Sequence, residues 1–349
     1  MNFHAQRNVE ASTWRELAAL FPVNPFHTAS YVQAMKDLGQ EPWFLSICEG
    51  QKLITGCAAF ISVGRIHRSL CIKSLPDLPD PAVFWEGVLR LARESRISVL
   101  DANTVASTSA SIPQLAGEYR RIDRWEYVLD LQNGDLMAKM HTGHRRKIRK
   151  AEKQQLVFRV AEGDEACKVH GQLIASSMER RQNRGEGVST NIETNTLRTL
   201  LQRKAALMFE AIGNDRVQSS LAVLRAERGA YLQSTGTSPE GMETGASHFL
   251  QHSCARLFQE QGLAVYNLGG SYEPDSGLAR FKLGFGTRAI QLQAVEAFVG
   301  HGVRTYVGRL VRFLKQRSAA TSHVGPDANA VQTTSSANDE SASHTQGLH

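Results

Sequence analysis

Two neighbouring stretches carry the side chains best suited to chemistry. Asn267-Leu-Gly-Gly-Ser271 is followed by Ala279-Arg-Phe-Lys-Leu-Gly-Phe-Gly286. Together they set four glycines, one arginine and one lysine around two phenylalanines. Gly269 and Gly270 permit a turn or a close backbone approach after an apolar run ending at Leu268. Arg280 and Lys282 alternate with Phe281 and Leu283. In an extended stretch that alternation puts both cations on one face, and in a turn they could still converge. Ser271, Tyr272, Glu273 and Asp275 fall where loop residues beyond a strand commonly meet a ligand. The chemistry is that of a phosphate-bearing substrate held at the end of a sheet. Tyr272, Glu273 and Asp275 are the weak candidates for acid–base work. The order is neither a Walker A loop nor a dinucleotide fingerprint.

A second cationic feature lies upstream. Six of the ten residues from His144 to Lys153 are Lys or Arg, and helix propensity is good after Gly143. This reads as a basic helix over 144–153. It either presents a solvated charged face or meets phosphates, with Arg145, Arg146 and Arg149 as candidate contacts. A third stretch, Gly241-Met-Glu-Thr-Gly-Ala-Ser247, precedes an expected helix over 246–259. Gly241, Gly245, Ala246 and Ser247 could offer backbone N–H groups to a phosphate at that helix N-terminus. No convincing metal site emerges. His248 and His252 have a two-ligand helical offset, but the glutamate of HExxH is absent.

These segments need elements to position them. The pattern predicts strands over 44–48, 53–63, 65–72, 97–101 and 125–131, with a helix from Val83 to Leu91. It then predicts strands over 206–212, 217–224, 230–235, 263–268 and 289–295, with the 246–259 helix among them. The same order appears twice, which points to a duplicated α/β unit. The boundaries expected are 1–138 for the first unit and 139–317 for the second, the basic helix included. A disordered tail follows over 318–349. An apolar stripe at Tyr306, Leu310 and Leu314, beside several cations, reads as a packed helix or a lipid-facing one.

The chain has 349 residues, 42% of them hydrophobic, and a net charge of +6. Without the acidic tail the charge is +9, which suits an anionic ligand without identifying nucleic acid. Five scattered cysteines without a CxxC pair suggest reduced thiols. No signal-like core or long apolar span is evident, so a soluble, cytoplasmic chain is expected, with room for peripheral contact at the inner membrane face.

Arg145-Arg-Lys-Ile-Arg-Lys-Ala-Glu-Lys153, Tyr266-Asn-Leu-Gly-Gly270 and Phe281-Lys-Leu-Gly-Phe-Gly286 resemble segments of FemAB-like proteins, within the GNAT-fold acyltransferases that have duplicated domains. The resemblance runs roughly from Phe26 to Phe298 and is strongest after Lys139. It implies a mixed α/β fold of two tandem GNAT-like domains, each a mostly antiparallel mixed sheet with helices on both faces. It implies transfer of an acyl group to an amine or hydroxyl of a phosphate-bearing, sugar-linked or lipid-linked acceptor. Lys282 would help hold acceptor phosphates. Acetyl-CoA or another acyl-CoA would be the co-substrate, with no permanently bound cofactor. An aminoacyl-tRNA donor acting on a cell-wall-like precursor is the alternative. A non-catalytic binding protein that keeps the fold is a third. The leading Arg or Gln of the usual coenzyme A loop is missing before Gly245.

Overall fold

A computed structural model describes residues 1–300 except 65, 66, 109, 133, 186–193 and 272. The expected helix over 304–317, the tail and Tyr272 therefore lie outside the described residues. The first half runs β1 (Asn2–Arg7), α1 (Ala11–Leu20), α2 (Ala29–Asp37), β2 (Glu41–Glu49), β3 (Lys52–Val63), β4 (Arg68–Ile72), α3 (Pro81–Glu94), β5 (Val99–Asn103) and β6 (Glu118–Asp130). A short helix α4 (Leu136–Lys139) and the basic helix α5 (Thr142–Lys153) follow. The second half runs β7 (Val157–Ala161), α6 (Gly163–Gln182), α7 (Thr194–Gln202), β8 (Ala206–Gly213), β9 (Arg216–Arg225), β10 (Gly229–Thr237), α8 (Pro239–Thr244), α9 (Ala246–Glu260), β11 (Val265–Ser271), α10 (Gly277–Leu283) and β12 (Arg288–Phe298).

All twelve strands among the described residues join one sheet in the order β1-β2-β3-β4-β5-β12-β6-β11-β10-β9-β8-β7. The order is mirrored about its centre, and the last strand of each half crosses to the other. β6 pairs antiparallel with β11, and β12 pairs antiparallel with β5. Each half also has a single parallel pair, β4 with β5 and β10 with β11. Parallel neighbours need a crossover, which α3 supplies in one half and α8 with α9 in the other. α3 starts cleanly because Pro81 stands in the first turn and Asp80 accepts a hydrogen bond from Val83 N at 3.1 Å.

One core surrounds Tyr127, Phe209, Leu250, Phe258 and Tyr266, and another surrounds Phe84, Leu100 and Val295. A third joins the halves: Trp14, Leu17 and Phe26 pack with Leu200, Leu224 and Tyr231. The Phe26 and Tyr231 rings meet edge to face at 5.1 Å. Gly229 is required there, because a Cβ would fall 2.2 Å from Val23 O. No helix among the described residues is long and apolar enough to cross a membrane.

Two local expectations are corrected. Residues 277–283 are helical rather than extended or a turn, because Ser276 caps them by accepting from Ala279 N at 3.1 Å. Arg280 and Lys282 are two residues apart on a helix and so point to different sides. Arg280 is exposed and Lys282 is buried. The glycine stretch before α9 is not an open loop either. Gly241 lies inside α8, and only Gly245, at φ 85°, turns the chain into α9.

Candidate active site

β10 and β11 pair only over Gly229–Tyr231 and Val265–Asn267. Both strands continue, to Thr237 and Ser271, without further pairing between them. Each is irregular just past the last pair. β10 shifts register against β9 between Leu232 and Ser234, and β11 shifts against β6 between Asn267 and Gly270. A bulge bends its strand and raises the local twist. Two bulges on facing strands turn them apart into a wedge with free ladder edges. Gly269, at φ 71°, makes the β11 bulge, and a Cβ there would lie 3.2 Å from Leu232 O. The Asn267 side chain supports the turn by accepting from Gly269 N at 2.8 Å.

A buried carboxylate sits at the apex of the wedge. Glu126, on β6, is 1% exposed. It accepts from Tyr231 Oη at 2.9 Å, from Asn267 Nδ2 at 2.7 Å and from Ala106 N at 3.0 Å. Tyr231 and Asn267 are the last parallel pair, so one side chain clamps both strands where they separate. The Arg124 guanidinium stands 3.8 Å from the same carboxylate. It fills the space beside Gly270, where a Cβ would lie 2.5 Å from Arg124 Nη2. Burial, then the Glu126 charge, pushes the Tyr231 hydroxyl well above its usual range. A buried carboxylate of this kind is tolerated because donors satisfy its oxygens.

Lys282 enters from the other side. Its Nζ donates to Gly270 O at 2.7 Å, lies 5.7 Å from the centre of the Tyr127 ring, and is 5% exposed. Burial draws its pKa down to about 7, with Glu126 opposing that shift and Arg124 adding to it. Tyr127 Oη and Ser271 Oγ share a hydrogen bond at 2.9 Å. The apex thus gathers one carboxylate, one guanidinium and one amine that can change protonation near neutrality. Such a set suits an anion or a developing negative charge.

The remaining glycines of the second motif serve α5 and the chain leading into it. A Cβ on Gly284 would fall 2.2 Å from His144 Cε1, and one on Gly286 would fall 2.7 Å from Lys139 O. His141 N donates to Gly284 O at 2.8 Å. His144, His248, Phe281 and Phe285 pack ring against ring between α5, α9 and α10. The two conspicuous segments of the sequence are therefore in direct contact.

Of the residues anticipated from sequence, Lys282, Gly269 and Gly270 come together at the wedge. Arg145 stands at its own helix start, donating to Met140 O at 3.0 Å and Thr142 Oγ1 at 3.1 Å. Arg146 and Arg149 are exposed on α5, and Glu273 and Asp275 are exposed before α10. Ala246 is buried at the start of α9 and Ser247 is half-buried. Gly245 packs on α5, since a Cβ there would lie 2.8 Å from Lys147 O. Sequence reasoning passed over Arg124, Glu126 and Tyr231. It also passed over His170, whose ring bonds Ser220 Oγ at 2.9 Å and Ser234 Oγ at 2.8 Å, fixing the β10 bulge. Arg180, bonded to Ser176 Oγ at 2.7 Å and to Thr237 O at the end of β10, was missed too. A lone acid in the apolar run Trp125-Glu-Tyr-Val-Leu129 was the available signal for Glu126.

Residues 138–283 match the family model described as an acetyltransferase (GNAT) domain. No curated protein matches the chain. Among solved structures, FemX is similar at 12% identity and a TM-score of 0.59, over 83% of this chain and 96% of that one. L-PGS from Bacillus licheniformis is similar at 13% identity and a TM-score of 0.53, over 88% and 96%. A tandem GNAT protein from the clavulanic acid biosynthesis pathway is similar at 12% identity and a TM-score of 0.51, over 86% and 99%. At these identities the likeness is one of fold. The chain has a mixed α/β fold of tandem GNAT-like units, and residues 138–283 are the part that resembles a GNAT-type acetyltransferase domain.

Proposed function

We propose that the chain is an acyltransferase that moves an acyl group from acyl-CoA to an amine or hydroxyl of a phosphate-bearing or sugar-linked acceptor. The observation that carries this reading is the parting of β10 and β11 over Glu126, Arg124 and Lys282. Free ladder edges on two diverging strands can hydrogen-bond an arm that carries amides, as the pantetheine of coenzyme A does. The acceptor nucleophile attacks the thioester carbon, and the C–S bond breaks as the new C–N or C–O bond forms. The thiolate leaves and takes up a proton. Lys282, close to neutrality in its proton affinity, is suited to hold the negative charge on the carbonyl oxygen or on an acceptor phosphate. Glu126 positions the strands and the basic groups without touching substrate. Holding the reactants in place supplies much of the rate.

A second reading has a specific observation behind it. α5 lies against Gly245, at the helix start where a coenzyme A pyrophosphate would be expected, and it is strongly basic. An aminoacyl-tRNA donor would suit that surface.

Calorimetric titration of the full chain separates the readings. Acetyl-CoA is expected to bind saturably, and Glu126→Gln to weaken binding about tenfold while the fold is kept, through loss of a buried charge-assisted network. Salt-sensitive binding of aminoacyl-tRNA without a response to acetyl-CoA would select the second donor. Binding of neither would overturn the acyltransferase reading.

A further inference from the structure

We propose that the outer face of α5, with one exposed apolar side chain at each end, is a docking surface for an anionic lipid bilayer. Ile148 and Ala151 are buried and His144 is half-buried, which fixes the inward side of the helix. Arg146, Arg149, Lys150 and Lys153 are exposed. At about 100° per residue these four fall within an arc of roughly 100°. They form one cationic stripe on the side opposite Ile148 and Ala151, with Lys150 at its α8 edge.

The neighbours of the stripe are apolar at both ends. Gly284 O receives His141 N at 2.8 Å, which sets the end of α10 beside the start of α5. Leu283, the last residue of α10, is 42% exposed there. Lys150 Nζ donates to Glu243 O at 2.9 Å, which sets α8 beside the later turns of α5. Met242, next to Glu243, is 50% exposed. The acids on α5 and α8 are Glu152, Glu240 and Glu243. Glu240 Oε1 is engaged by Asn214 Nδ2 at 2.9 Å. The four cations of the stripe outnumber these three acids.

Cations next to exposed aliphatic side chains match a bilayer interface, where lipid headgroups take the charge and the acyl boundary takes the apolar tips. A single-stranded nucleic acid partner would call for rings on which bases stack. The exposed large hydrophobic residues described are Met1, Leu20, Val63, Val157, Val160, Met242 and Leu283, with no aromatic among them. α5 also packs against Gly245, at the α9 start that follows the end of β10. The docking itself requires no turnover, so it can stand or fall apart from the proposed reaction.

Vesicle co-sedimentation of the full chain tests it. Vesicles of phosphatidylcholine mixed with phosphatidylglycerol should retain the protein, and phosphatidylcholine alone should not. Salt should release it. The double reversal Arg146→Glu/Arg149→Glu should weaken retention by at least about tenfold. The reversal Arg15→Glu/Arg93→Glu, remote in sequence and also exposed, should leave retention unchanged. Met242→Ser/Leu283→Ser should leave binding more sensitive to salt. Thermal melts of each variant check the fold. Equal binding to both vesicle types would overturn the proposal, as would retention unaffected by the α5 reversal. Tighter binding of deacylated transfer RNA than of mixed vesicles, lost in the same α5 variant, would replace it with a nucleic acid surface.

Discussion

The imidazole of His144 lies against the α-carbon of Gly284, so closely that a Cβ on Gly284 would fall 2.2 Å from His144 Cε1. The ring also pairs through Nε2 with Phe281 O at 2.8 Å. The basic helix and the Phe-Lys-Leu-Gly-Phe-Gly motif are locked together by this contact. Gly284 is needed for the space it leaves rather than for an unusual backbone angle, since its φ is −60°.

Gly284→Ala should therefore destabilise the fold by about 1–3 kcal/mol, the usual range for overpacking a well-filled site. Truncating the ring should relieve the clash. The double variant His144→Ala/Gly284→Ala is expected to be more stable than the sum of the two single changes implies. Urea unfolding of the four proteins measures the coupling. Strict additivity would show that the two residues do not constrain each other.

That contact also shows what the sequence could and could not disclose. The motif stands out through its glycines and cations, and α9 through its apolar stripe at Leu250, Cys254 and Phe258. The purpose of the glycines is set by residues about 140 positions earlier, and no local pattern carries that. The alternation of Arg280 and Lys282 with apolar neighbours leaves a strand or a turn open for α10, yet Ser276 caps it as a helix. α6 has a mixed polar sequence with little periodicity and is legible only through its packing on β10. The exchange of β6 and β12 between halves is a matter of nonlocal pairing. Glu126 acquires its role only through that exchange, which brings β6 beside β11.

Lys282 makes a separate prediction about pH. Its folded pKa is drawn down to about 7 from the ordinary lysine value of 10.5, mainly by burial. Between those values the unfolded chain binds a proton that the folded chain does not, so stability rises with pH across that window. Below pH 7 the cost of burying the charged amine is fully present. The slope contributed by this one group approaches about 1.4 kcal/mol per pH unit. Lys282→Met removes it, at the expense of the hydrogen bond to Gly270 O. The difference in stability, variant minus parent, should be greatest below pH 7 and shrink toward pH 10.5. Parallel stability curves for the two proteins over that range would refute the assignment of a depressed pKa.

Acid should act on the histidines in the same sense. His170 and His252 are buried and His248 is half-buried, and burial lowers each to about 4, with Asp135 opposing the shift at His252. The His144 ring and Lys147 add to the effect at His248, and Arg256 adds to it at His252. His27, drawn down to about 3 by burial, behaves alike in the first half. These rings stay neutral in the folded chain and take up protons on unfolding. Stability is complete above the unfolded histidine pKa near 6.5 and falls as pH drops toward 4. Each such ring adds up to about 1.4 kcal/mol per pH unit to the slope. Urea midpoints at pH 7.5, 6 and 5 measure it. His248→Phe, which keeps an aromatic ring between Phe281 and Phe285, should flatten the decline by the share of one proton. An unchanged slope in that variant would mean that His248 is already charged in the folded protein, and that the ring cluster between α5, α9 and α10 tolerates the charge.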